Sequence, residues 1–259
     1  MKQLTVKLAM VAMFFAAVSL CSCNGDKKLL EECAVSLNDD AGMRLATFGI
    51  LDGVEYDAEN NLLSIEVHDT KIDPQIIKAN FNELAPVFLN EFFYFNQKRR
   101  SLVAKMVKSL DTKVEFEFIP TMGMGTKAEI EVPAEEYVKY NNIIVDAESE
   151  LKARLIAKDQ FYNFPISLPK DEKITDLGVE DGRMVVTVSI NPDLIGKIKA
   201  DEGQFKLHGV ELITDHLLEE GKICAKGDMD IVLRFVGHNG KGTEDVKLIS
   251  SVVTSRFGC

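Results

Sequence analysis

Asn61-Leu62-Leu63-Ser64-Ile65-Glu66-Val67 alternates apolar and polar residues, the pattern of a strand with one buried face. Arg183-Met184-Val185-Val186-Thr187-Val188-Ser189-Ile190 repeats the pattern 122 residues later. A turn precedes each stretch, Asp57-Ala58-Glu59-Asn60 and Glu180-Asp181-Gly182, and ahead of each turn lies a further strand, Gly49 to Tyr56 and Ile174 to Val179. Both copies therefore open with a β-hairpin.

The parallel continues downstream. Asp73-Pro74 and Asn191-Pro192 each place a capping side chain before a proline at the first helical position, and apolar-rich helical stretches follow both. Val114-Glu115-Phe116-Glu117-Phe118 then matches Ile231-Val232-Leu233-Arg234-Phe235. Gly123-Met124-Gly125-Thr126 matches Gly240-Lys241-Gly242-Thr243, and each opens into a strand, Ala128 to Val132 and Asp245 to Ile249. Paired glycines suit a hairpin tip that needs positive φ. The expected fold is α+β: two similar lobes from an internal duplication, each reading β-β-α-β-β, with helices on one face of an antiparallel sheet. The boundaries fall at residues 37–146 for the first repeat and 147–259 for the second. Ala147 to Ala157 forms a linking helix, and Phe164 to Pro169 is extended because each proline biases its predecessor away from helix.

Ahead of the repeats, Lys2 and Lys7 flank a basic start, and Leu8 to Leu20 (LAMVAMFFAAVSL) is an apolar run of 13 residues. That run is too short to span about 30 Å of hydrocarbon and reads as a secretory signal over residues 1–22. The Leu20-Cys21-Ser22-Cys23 ending resembles a bacterial lipobox. Cys23 fits the acylated position, with small Ser22 before it; Cys21 follows bulky Leu20 and fits less well. The resemblance covers only these residues. It implies export and an acyl anchor at Cys23, as in Gram-negative outer-membrane lipoproteins, with residues 23–36 as tether and short helix. Asp26 is followed by Lys27-Lys28, which leans toward the periplasmic face.

Composition narrows the function. At 46% hydrophobic and 27% charged the chain is globular. Removing Lys2 and Lys7 with the signal takes the net charge from −11 to −13, which disfavours a nucleic-acid partner. Export permits a disulfide among Cys33, Cys224 and Cys259, with the pairing open. No catalytic, phosphate-binding or calcium-binding motif stands out, and the glycine pairs lie between strands, where they cradle no nucleotide. No cofactor or metal is expected. His208 and His216 are eight residues apart, about 12 Å along a helix, too far to share one ion.

Two features remain as interaction candidates. Pro86 to Phe95 is dense in aromatics; its apolar residues run most of the way round a helix, which reads as core. Read as a surface, Phe88, Phe92, Phe93 and Phe95 would meet a partner or an apolar ligand. Pro86 should kink or begin a helix. Lys98-Arg99-Arg100 is a basic cluster in an acidic chain, a solvated helix face or a contact for anionic lipid or an acidic partner. The leading expectation is a non-catalytic, lipid-anchored envelope protein that binds a partner protein or ligand. The rivals are an envelope hydrolase using His208, Asp215, His216 and Glu219, and an assembly subunit joined through sheet edges.

Overall fold

A computed structural model describes residues 25–94, 97–122, 125–217, 230–238, 240 and 242–248, with the side chains of 147, 161 and 213–216 left aside. The chain divides into two compact units, one ending at Ile143 and the other beginning at Ile144. Each carries a five-stranded sheet with helices packed on it, the same α+β plan twice.

The first lobe begins with helix α1, residues 25–38, whose Leu30, Cys33, Ala34 and Leu37 are buried. Strands β1 (Arg44–Leu45), β2 (Gly49–Asp57) and β3 (Leu62–Thr70) form an antiparallel meander. Helices α2 (Pro74–Ala79), α3 (Phe81–Phe92) and α4 (Gln97–Leu110) lead to the hairpin β4 (Lys113–Pro120) and β5 (Ala128–Val132), and α5 (Ala134–Asn141) ends the unit. Asp73 caps α2 by accepting from the Gln75 N–H at 2.7 Å. Alternation sends Leu63, Ile65 and Val67 inward, in register with Val114, Phe116 and Phe118.

The second lobe repeats the scheme. After α6 (Ala147–Leu155) and α7 (Lys158–Phe161), strand β6 (Ile166–Ser167) leads through a 3₁₀ turn, Pro169–Asp171, into β7 (Lys173–Glu180) and β8 (Arg183–Ile190). Helices α8 (Pro192–Ile198) and α9 (Glu202–His216) follow, then β9 (Ile231–Gly237) and β10 (Thr243–Leu248). Asn191 caps α8 just as Asp73 caps α2. The inward residues Met184, Val186 and Val188 face Ile231, Leu233 and Phe235. Gly209 lets α9 lie against this core: a Cβ there would fall 1.8 Å from Leu233 Cδ1.

Both hairpins of each lobe are antiparallel, as their short connecting turns require. The hairpins join each other in parallel, however, through β3–β4 and β8–β9. Each sheet is therefore mixed, where a wholly antiparallel one was expected. The cause is the helical crossover, which returns the chain to the same end of the sheet before the next strand starts. The lobes even share a defect, a register shift at Leu51/Gly53 and another at Ile174/Asp176. In the first lobe Asn38 Oδ1 accepts from the Val54 N–H at 2.7 Å beside that bulge. Pro86 neither begins nor ends a helix. It lies buried inside α3, where packing of Leu84, Val87, Phe88 and Leu89 outweighs one missing backbone hydrogen bond.

Candidate functional site

The second lobe carries an open groove of about 500 Å³ between the 3₁₀ turn, α8 and one face of α9. Gln204, Leu207, His208 and Glu211 recur at helical spacing, so α9 offers them as a single stripe. Phe205 lies beside the stripe and packs edge-on against Phe235, ring centroids 5.4 Å apart. Leu194 of α8 is the opposite apolar wall, and Lys170 and Glu172 contribute from the turn. Leu207 is 69% exposed, an apolar side chain left open at the groove.

His208 and Glu172 form the polar centre. Glu172 Oε2 and His208 Nε2 are 2.7 Å apart, with the Glu172 side chain 8% exposed. A carboxylate buried that far needs a donor, and the imidazole supplies one. The loop holding Glu172 is conformationally costly. Lys170 and Asp171 sit consecutively in the left-handed region, at φ of 62° and 65°. Each such non-glycine residue costs on the order of 1–2 kcal/mol, so the surrounding contacts must hold the turn in place.

His238 meets the same turn from the β9–β10 side. Its Nδ1 is 2.9 Å from Ser189 Oγ and its Nε2 is 3.6 Å from Asp171. Serine, histidine and aspartate thus come together, but the last separation is too long for a hydrogen bond and Asp171 is mostly in solvent. The imidazole is not fixed as a hydrolytic triad requires. Of the four residues weighed for a hydrolase, the structure gives only His208 a described partner, and that partner is Glu172. Asp215 and His216 belong to α9 with side chains outside the description, and Glu219 lies outside the described residues.

The aromatic segment is placed differently from the surface reading. Phe88, Phe92 and Phe93 are buried within the first lobe. Phe88 meets Phe48, Phe116 and Phe118 edge-on at 5.2, 5.4 and 5.6 Å and stacks on Phe92 at 5.9 Å. These rings fill the space between α3 and the sheet, so they offer no surface to a partner. Phe95 lies outside the described residues.

The basic cluster is likewise dispersed. Consecutive helical residues point about 100° apart, so Lys98, Arg99 and Arg100 cannot share a face. Lys98 is exposed. Arg99 donates to Ser36 O at 2.9 Å and Asp40 Oδ2 at 3.3 Å, tying α4 to the end of α1. Arg100 is buried, donating to Asn141 Oδ1 at 3.1 Å, Asn141 O at 2.6 Å and Asn90 Oδ1 at 3.4 Å. Burial draws its pKa below the usual guanidinium value.

Cys33 is a buried free thiol whose pKa burial pushes up, while Cys23, Cys224 and Cys259 lie outside the described residues. Among the described residues no helix is long and apolar enough to cross a membrane, and no His, Cys, Asp and Glu cluster suits a metal ion. Sequence reasoning missed the groove because Glu172 lies 36 residues from His208. The available signal was the 204-207-208-211 helical periodicity.

No family model matches the chain, and comparison with curated proteins gives no significant match. Among solved structures, a Pseudomonas aeruginosa protein inferred to be secreted is similar at 13% identity with a TM-score of 0.31. The match covers 40% of this chain and 94% of the other. A likeness that distant says nothing of function.

Proposed function

We propose that the chain is an exported, lipid-anchored protein of the Gram-negative cell envelope that acts by binding a ligand or partner rather than by catalysis. One observation carries the reading: the basic start, the apolar run Leu8 to Leu20 and the Leu20-Cys21-Ser22-Cys23 ending stand directly before the first described helix. Helix α1 starts at residue 25, two positions after Cys23, and is packed into the first lobe through Leu30 and Leu37. Acyl chains on Cys23 would hold that lobe close to the bilayer, on the periplasmic side of the outer membrane. Two or more chains anchor stably, since each buried CH₂ contributes about 0.8 kcal/mol.

The test is Cys23→Ala in the full chain, with membrane fractionation and palmitate labelling. The expected outcome is loss of label and release into the soluble envelope fraction. Membrane retention of the unlabelled variant would refute the anchor.

A further inference from the structure

The groove of the second lobe has an apolar side and a polar side. Its apolar side is Leu194, Phe205 and the exposed Leu207. Its polar side holds mostly acceptors. Glu172 and Glu211 are carboxylates, and Gln204 adds an amide that both accepts and donates. His208 Nε2 lies 2.7 Å from Glu172 Oε2, and no described residue bonds its Nδ1. Against two carboxylates the lining sets one lysine, Lys170. A volume of about 500 Å³ falls within the range of small-molecule sites.

We propose that this groove binds an amphipathic amine: an apolar body laid over Leu194, Phe205 and Leu207, and an ammonium group directed at Glu211 and the Glu172–His208 pair. The chemistry follows from the inventory. An ammonium brings three donors and one positive charge to a site rich in acceptors and net negative. A carboxylate at the same end would face two like charges. The turn carrying Glu172 holds two left-handed residues in sequence, and backbone strain of this kind is concentrated where a loop must present a group in a set position.

The inference rests on the ligand-binding half of the proposed function, not on the anchor. Its test uses the full chain in maltoside detergent, titrated calorimetrically with phenylbutylamine, phenylbutanol and phenylbutyrate. These probes share one body and differ in the polar end. The amine is expected to bind saturably and at least about tenfold more tightly than the carboxylate. Glu211→Gln, on an exposed helix position, should weaken the amine about three- to tenfold and leave the alcohol unchanged. Leu207→Ala should weaken all three alike, by about threefold. Preference for the carboxylate, no saturable binding of the amine, or indifference of the amine to Glu211→Gln overturns the proposal. Those results leave the Cys23 anchor standing, and a failed Cys23→Ala test leaves the groove standing.

Discussion

Phe88 decides between core and surface for the aromatic segment, so its truncation is the most informative stability measurement. The side chain has no exposure and touches four rings contributed by α3, β4 and the turn before β2. Phe88→Ala removes a ring from a site that cannot collapse without moving α3 or the sheet. Phe-to-Ala changes in cores cost about 3–5 kcal/mol, and the number of ring neighbours places this one near 4 kcal/mol. The first lobe has about 120 described residues, so its unfolding entropy is about 0.25 kcal/mol/K and the midpoint should fall by about 15 °C. Phe88→Leu keeps most of the volume and should lose only about 1–1.5 kcal/mol, or about 5 °C. Differential scanning calorimetry of the purified variants reads both, with urea midpoints as a check. A fall of less than about 3 °C for Phe88→Ala would refute the core placement and restore the interaction surface.

Two further outcomes follow from close approaches on the sheets, one from a helix and one between strands. Gly209→Ala should destabilise the second lobe by about 1–2 kcal/mol in urea, because the clash with buried Leu233 exceeds the roughly 1 kcal/mol gained in helix propensity; an unchanged or raised midpoint would refute it. Glu66 stands opposite Glu117, which stands opposite Glu129, and burial followed by the Asp52 and Glu117 charges raises the Glu66 carboxyl above its usual 4.5. The native state then holds that proton more tightly than the unfolded chain does. The Glu66 contribution therefore stabilises as pH falls through the raised pKa and is unfavourable at pH 7. Glu66→Gln should add about 0.5–1 kcal/mol in urea at pH 7 and almost nothing at pH 4; equal midpoints at pH 7 would sink the idea.

The sequence by itself determined the four hairpin strands of each lobe, the caps and the doubling, but not the two-residue edge strands β1 and β6. Alternation in 61–67 and 183–190 is local information, since successive side chains of a strand must face opposite ways. Asp73-Pro74 and Asn191-Pro192 are equally local, because a cap bonds within two residues. Helix α5 was not anticipated; its short Ala134–Asn141 span is held by Tyr137 and Tyr140 in the core and by Arg100 from α4, contacts that join distant segments. The parallel pairing of β3 with β4 was also beyond reach, because alternation states which face a residue takes and not which neighbour a strand selects. The three consecutive basic residues read as one patch until helix geometry sent each a different way. The groove is a purely tertiary product. Helical spacing on α9 is written in the sequence, but Glu172 comes from a strained turn 36 residues earlier, and only packing of that turn against α9 brings the carboxylate to His208. Local periodicity is fixed by bond geometry over a few residues, whereas a site between elements depends on which apolar faces bury one another.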